Sequence, residues 1–311
     1  MRSEIAEKLK RQQYRMIGSH SAVKICHWTK KSLLDEGVCY KETFYGIPSH
    51  RCCQMTPCMM CCNRCVFCWR DTGTFTGTNI SGKPDEPVEI IENAIKMQRH
   101  LINGFPGNPK TNMKKMKEAH DPKSFAISLS GEPMIYPRMG DLIAELKRRK
   151  ICSFLVSNGL FPERISGLET LPTQLYISLD APNKKVYKEV DRPMIKDYWK
   201  RFQKTMEILP SISTRTVLRI TAVKGINMLD EKGYAEMIKK AEPMFVEVKG
   251  YSWVGASRVR LQETNVPSHE DVKTFGNRLA ELTGLRVIDE KQESAVILLA
   301  ERESKERRLK L

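Results

Sequence analysis

The stretch Cys61-Cys62-Asn63-Arg64-Cys65-Val66-Phe67-Cys68 sets Cys61, Cys65 and Cys68 in the spacing C-x3-C-x2-C, with an aromatic residue just before the last. Three thiolates on so short a loop do not complete a tetrahedral zinc site. They suffice to hold three irons of a [4Fe–4S] cube, leaving the fourth iron open to chelate a ligand's amino and carboxylate groups. A closed zinc site would have to recruit Cys58 as a fourth thiolate. Its two C-x2-C pairs would be separated by only Cys62, Asn63 and Arg64, whereas structural zinc pairs normally stand ~12 or more residues apart.

The other cysteines extend that reading. Nine of the ten fall in the first 68 of 311 residues. A disulfide scaffold would be smaller and would not leave the rest of the chain nearly bare of cysteine, so clustered thiols in a reducing compartment indicate metal. No run approaches the ~18–20 apolar residues of a membrane helix. Met1–Lys10 is too charged to be the apolar region of a secretory signal. A cytoplasmic location and no membrane contact are expected.

Downstream, short apolar runs recur at Phe125–Leu129, Ser153–Val156, Leu175–Leu179, Val217–Ala222 and Phe245–Lys249. Stretches between them, such as Arg138–Lys150 and Asp230–Ala241, carry apolar residues at helical spacing. Strands separated by helices imply parallel βα units. A strand near Arg51–Thr56, ahead of the cysteine loop, brings the count to six. Ser130-Gly131-Glu132, Ser157-Asn158-Gly159, Asp180 and Gly250 follow strand C-termini, where βα barrels build their sites. That placement favours a partial (βα)6-type barrel over an open doubly wound sheet.

The expected fold class is therefore α/β. Residues 1–50 form an N-terminal Cys-rich extension, residues 51–255 the barrel, and residues 256–311 a small C-terminal β extension with a basic tail. Leu285–Asp289 and Ala295–Ala300 supply the strand pair of that last segment. Arg2–Met16 reads as a surface helix, Lys24–Trp69 as mostly metal-held loops, and Asn103–Pro122 as a long basic insertion.

The motif C-x3-C-x2-C with Phe67, followed by a βα pattern, resembles the radical S-adenosylmethionine (SAM) superfamily, whose fold is a partial βα barrel. Further landmarks appear in order. Ser130-Gly131-Glu132-Pro133 resembles the superfamily's glycine–glutamate motif, which makes Glu132 the residue that receives the SAM amino group; Ser130 stands where a glycine is usual. Ser157 and Asn158 after the third strand, and Ser178 and Asp180 after the fourth, resemble the ribose- and carboxylate-contacting positions.

Upstream, Cys26, Cys39 and Cys52 stand at equal thirteen-residue intervals, too far apart for one loop but suited to a site assembled from three segments. Their neighbours His27-Trp28-Thr29-Lys30-Lys31 and Tyr40-Lys41 suggest polar, exposed surroundings. This block, CHWTKKSL and GVCYKETFYGIPSHRC, together with CVFCWR and VKGYSWVGASR (Val248–Arg258), resembles the tRNA 4-demethylwyosine synthases of wybutosine (wyosine) biosynthesis. The resemblance covers nearly the whole chain and matches the shorter archaeal type, which lacks the flavodoxin-like domain of eukaryotic members.

The resemblance implies an enzyme that condenses N1-methylguanosine at position 37 of tRNA-Phe with pyruvate, using SAM. It implies two [4Fe–4S] clusters, one on Cys61, Cys65 and Cys68 and a second on Cys26, Cys39 and Cys52. Lys41 matches the lysine that forms a Schiff base with pyruvate. An external one-electron donor of the flavodoxin or ferredoxin type is implied as well. The two rival readings are a radical SAM activase acting on a protein partner and a zinc-bearing nucleic-acid-binding protein. The first leaves the upstream cysteines unexplained.

Charge agrees with a polyanionic substrate. Lys plus Arg number 52 against 37 Asp plus Glu, a net +15. Each basic side chain that meets a phosphate releases condensed counterions. Lys110–Lys117, Lys30-Lys31 and Lys305–Lys310 are candidates for tRNA backbone contact, and Trp28, Trp69 and Trp253 for stacking on an extruded base.

Overall fold

In the computed structural model, which describes residue 7 and residues 9–310, the apolar runs pair into one ten-stranded sheet. Its strands are β1 (Arg15–Met16), β2 (Ala22–Val23), β3 (Cys52–Thr56), β4 (Ser124–Ile127), β5 (Cys152–Ser157), β6 (Gln174–Ser178), β7 (Arg215–Ala222), β8 (Phe245–Gly250), β9 (Arg286–Lys291) and β10 (Val296–Ala300). The spatial order is β1-β2-β3-β4-β5-β6-β7-β8-β10-β9. Strands β3 to β8 are mutually parallel, while β2 and β10 add antiparallel to the two ends. β1 and β9 are edges, so the curved sheet stays open, as a partial barrel does.

Both faces of the parallel strands are covered, which is why their sequences read as nearly continuous apolar runs. Outward residues such as Leu155, Ile177, Leu218 and Val248 join Leu142, Tyr187, Phe202 and Ile238 of the surrounding helices in the main core. Inward residues Phe154, Tyr176, Val217, Phe245 and Leu298 pack on Tyr40, Phe44 and Tyr45. The helices face the sheet for the usual reason. Met139–Arg148 buries Leu142, Ile143 and Leu146 one turn apart, and its first-turn Asp141 and last-turn Lys147 and Arg148 suit the helix dipole. His269–Thr283 is started by a capping box between Ser268 and Asp271 and stopped by left-handed Gly284.

The N-terminal segment departs from the loop expectation. Between Lys24 and Trp69 it contains two short α-helices, α1 (His27–Leu33) and α2 (Tyr40–Tyr45), N-capped by Cys26 and Cys39. One or two turns are too short to display a 3.6-residue period, so they were not legible. α2 is anchored to the barrel's inner wall through Glu247 of β8. That carboxylate has no exposed surface and accepts from Tyr45 Oη at 2.7 Å and from Tyr40 and Tyr176 Oη at 3.1 Å. Arg15–Met16 form a strand rather than the end of a helix; Arg2–Ala6 and Lys8 lie outside the described residues.

The basic tail is docked, not free. Arg307 pairs with Asp289 at 2.6 Å and Glu303 at 2.9 Å, Arg215 donates to the carbonyls of Glu306 and Arg307 at 2.7 Å, and the Leu309 amide donates to the Tyr45 carbonyl at 2.9 Å. These contacts close the end of the barrel at the strand N-termini, away from the cysteine loop. Since both chain extensions contribute strands to the same sheet, they are continuous with the barrel.

Two glycines offer a check on this packing. Gly131 has φ +75°, and a Cβ there would overlap the backbone of Cys58, Met59 and Met60. A Cβ on Gly276 would overlap only the Cδ1 end of the Ile297 side chain. Gly131→Ala is expected to destabilise by ~3 kcal/mol or more, because backbone cannot retreat. Gly276→Ala should change stability by only ~1 kcal/mol, since rotamer shift and gained helix propensity offset. Denaturant unfolding of the two variants under identical anaerobic conditions measures the difference.

Candidate active site inside the barrel

The cysteine loop follows β3 and is held by main-chain bonds from elements distant in sequence. The Cys61 amide donates to the Phe75 carbonyl at 3.1 Å, Arg64 to Asp191 at 2.9 Å and Val66 to Val190 at 2.8 Å. Arg70 reaches back to the carbonyls of Asn63 at 2.9 Å and Phe75 at 3.1 Å, and Arg260 clasps those of Val66 and Cys68. Cys61, Cys65 and Cys68 line one pocket with Arg70. Burial pushes the Cys65 and Cys68 thiols up, and the neighbouring Asp191 carboxylate adds to the rise at Cys65, whose Sγ lies 3.1 Å from Asp191 Oδ1. Cys61 moves the other way, lowered by a hydrogen bond from the Cys62 thiol and by the Arg70 guanidinium.

This donor set fits an iron–sulfur cube better than a single ion. Among the described residues, no three Cys, His, Asp or Glu side chains converge tightly enough for a mononuclear metal. Cys58, the fourth ligand a zinc site would need, is buried in the main core, with its Sγ 3.9 Å from the Met60 carbonyl. It does not line the pocket.

The expected SAM contacts share that pocket: Glu132, Ser157, Asn158, Ser178 and Asp180 all line it beside the three cysteines. Glu132 is the best fixed of them. Its carboxylate accepts from Ser157 Oγ at 2.8 Å, the Asn158 amide at 2.7 Å and the Met134 amide at 3.0 Å. Burial nevertheless raises its pKa to about 8, so a cationic group of a ligand would draw it back to the charged form. Left-handed Gly131 lets the strand turn sharply under the cysteine loop, and the Glu132 amide then donates to the Met60 carbonyl at 2.7 Å. Asp180 accepts from the Thr221 amide at 2.8 Å, and its pKa too is raised by burial.

Cys26, Cys39 and Cys52 come together from α1, α2 and β3. They are half-buried, and their thiols are more sheltered than their polar neighbours suggested. Burial is the largest cause lifting each pKa, to about 12 at Cys39; Cys26 adds to the rise at both Cys39 and Cys52. The Lys41 ammonium acts on all three sulfurs and stands 4.5 Å from the centre of the Tyr176 ring and 5.3 Å from that of Phe154.

Three charged residues on the inner wall were not singled out from the sequence: Arg219, Glu247 and Lys249. A signal existed, because each is a charge at an inward, alternate position of an otherwise apolar strand (VLRITA, FVEVKG). Burial, followed by the Arg219 charge, lowers the Lys249 pKa to about 8.

The candidate tRNA contacts divide. Lys110, Lys114 and Lys117 are exposed, whereas Lys115 pairs with Asp35 at 2.7 Å and Lys31 with Glu36 at 3.2 Å. Trp253 packs against the core and donates from Nε1 to the Leu261 carbonyl at 2.9 Å. Trp69 stacks on Tyr14 at 5.6 Å, with the Lys24 ammonium 4.6 Å from its ring centre. Among the described residues, no helix is long and apolar enough to cross a membrane.

Comparison with known proteins agrees with this geometry. Residues 55–238 match the radical SAM superfamily and residues 240–301 match the wyosine base formation family. The S-adenosyl-L-methionine-dependent tRNA 4-demethylwyosine synthase of Pyrococcus abyssi is 48% identical over 304 residues, covering 96% of this chain and 89% of that protein. The human TYW1 of the same name is 41% identical over 97% of this chain, which spans 41% of it. A solved structure described as TYW1 with a lysine–pyruvate adduct bound superposes with a TM-score of 0.90 at 35% identity, covering 99% of each chain. An archaeal TYW1 crystal structure gives a TM-score of 0.81 at 33% identity, covering 99% of this chain and 100% of that one. The chain belongs to the radical SAM superfamily and, within it, to the S-adenosyl-L-methionine-dependent tRNA 4-demethylwyosine synthases.

Proposed function

We propose that this chain builds 4-demethylwyosine on tRNA-Phe from N1-methylguanosine at position 37 and pyruvate, with SAM consumed. One observation carries the reading: an amine, Lys41, is held inside the barrel among three thiols, below a pocket lined by a second set of three. A SAM enzyme needing no carbonyl substrate would have little use for that amine.

When bound, the reduced cluster and SAM supply a radical strong enough to take hydrogen from an unactivated N-methyl group. The chain's own residues do the rest. Cys61, Cys65 and Cys68 hold the SAM cluster, and Glu132 receives the SAM amino group. Ser157, Asn158, Ser178 and Asp180 contact the remaining polar edges. Cys26, Cys39 and Cys52 hold a second [4Fe–4S] cluster. Lys41 condenses with the pyruvate carbonyl, losing water, and fixes that carbon in place for attack by the N-methyl carbon; scission of the pyruvate C1–C2 bond releases the carboxyl carbon, and the guanine amine displaces Lys41 as the ring closes. The electron comes from an external donor of flavodoxin or ferredoxin type. Exposed Lys110, Lys114 and Lys117 contribute to backbone binding of tRNA. The labour divides along the chain: residues 1–50 bring second-cluster ligands and the amine, residues 51–255 the barrel, and residues 256–311 the strands and tail that close it.

Anaerobic turnover with tRNA bearing N1-methylguanosine and pyruvate labelled at C2 or C3 should move label into the RNA; RNA that stays unlabelled defeats the proposal. The two ligand sets should also separate. Replacing Cys61, Cys65 and Cys68 by Ala is expected to leave about four irons per chain and abolish SAM cleavage. Replacing Cys26, Cys39 and Cys52 should also leave about four, with some SAM cleavage and no product. An upstream triple variant that keeps all its iron would remove the second cluster from the account. For Lys41, borohydride with labelled pyruvate should trap an adduct on the peptide containing it. Lys41→Arg keeps the charge but cannot form the imine, so product should be lost while both clusters remain. Near-normal turnover by that variant would leave chelation by the second cluster as the better explanation.

A further inference from the structure

The inner wall of the barrel carries two cationic side chains besides Lys41: Arg219 and Lys249. Arg219 lies on β7 with its side chain inward, register partner of Ser178 on β6 and of Glu247 on β8. Lys249 is the next inward residue of β8, diagonal to Arg219. Both are enclosed by protein, yet both keep some accessible surface, as do Lys41, Ser178, Cys26, Cys39 and Cys52. Ser178, the register partner of Arg219, also lines the SAM-type pocket, so this patch of inner wall adjoins that pocket.

The carboxylates facing Arg219 spend their hydrogen-bonding positions on other donors. Glu247 accepts three phenolic hydroxyls, from Tyr40, Tyr45 and Tyr176. Asp180 is taken by the Thr221 amide and faces the pocket above. Both carboxylates are close enough to favour the charged guanidinium, but neither forms an ion pair with it, and no described side chain does. Lys249 donates to main-chain oxygens, the Ser294 carbonyl at 3.2 Å and that of Gly250 at 3.5 Å, with Cys39 and Glu247 near enough to favour its charge. Glu247 and Asp180 keep Arg219 charged, its pKa raised in spite of burial, but among the described residues its N–H donors have no direct acceptor. Its two parallel N–H donors match a carboxylate. Phosphates of a tRNA backbone cannot reach this depth; a small organic acid can.

We propose that Arg219, with Lys249 beside it, is the carboxylate-binding site for the 2-oxoacid whose carbonyl Lys41 engages. This rests on the reading of Lys41 as the pyruvate-holding amine. Both cations neighbour the wall on which the Lys41 ammonium rests: Tyr176 lies under Lys41 and also acts on Arg219. An acid held at both ends has its carbonyl carbon fixed in position and orientation, and neutral ketones lose one of the two anchors. The site thus selects for a carboxylate next to the ketone.

The test uses the full chain with its clusters, loaded anaerobically, and compares pyruvate with the neutral ketone pyruvamide. Borohydride-trapped adduct on the Lys41 peptide is measured against concentration of each. Wild type is expected to prefer pyruvate. Arg219→Met should raise the half-saturating pyruvate concentration by ~tenfold or more, the worth of a charge-assisted pair, and abolish the preference over pyruvamide. Arg219→Lys should recover part of that preference, which a merely structural role would not predict. Iron content and unfolding temperature establish that each variant is folded; should Arg219→Met fail there, the preference shown by Arg219→Lys and Lys249→Met decides. A variant that keeps the wild-type preference overturns the proposal, as does one whose loss falls on SAM affinity instead of on pyruvate. Wild type that traps no adduct at Lys41 defeats the imine reading itself, a different failure.

Discussion

A parallel sheet that does not close leaves its inner face uncovered, and the arrangement of this molecule follows from how that face is filled. β3 and β8 carry antiparallel additions instead of meeting. Left bare, the inward Phe154, Tyr176, Val217 and Phe245 would face water. The N-terminal segment supplies the cover: Tyr40, Phe44 and Tyr45 of α2 pack onto those residues. Covering the inner face is also what brings Cys39 and Lys41 inside. Packing and chemistry are the same act here, because the helix that completes the core is the one that delivers the amine.

Glu247 secures that helix. Its burial is tolerable because three phenols donate to it and the Arg219 and Lys249 charges lie near, and two of those phenols come from α2. The third, Tyr176, presents its ring face to the Lys41 ammonium. One carboxylate therefore fixes the helix, the aromatic surface on which the amine rests, and the wall beside Arg219. The C-terminal tail reinforces the same end of the barrel through Arg215 and Leu309, which explains why part of its basic charge is consumed internally.

At the opposite end, the strand C-termini present the pocket. Short loops there are held by one another rather than by regular structure: Gly131 turns under the cysteine loop, Glu132 ties β4 to β5 through Ser157 and Asn158, and Asp180 ties β6 to β7. The two cysteine sets are thus carried on different kinds of support. One sits on a loop gathered by main-chain bonds, the other on helix N-caps and a strand.

By itself, the sequence determined the six parallel strands, the antiparallel pair after them and the cysteine loop, since each is a local pattern: an apolar run of strand length, or a fixed ligand spacing. It also marked Glu132, Ser157, Asn158, Ser178 and Asp180, because residues just past barrel strands have nowhere to go but the rim. What tertiary structure alone decided is what meets across long separations. The convergence of Cys26, Cys39 and Cys52, the seat of Lys41 on Tyr176, and the docked tail depend on α2 lying against the inner wall, and two helices of six and seven residues show no period to announce them. Arg219 and Lys249 were visible as charges within apolar strands, but only strand register decides that such charges share the inner wall against which the Lys41 helix packs.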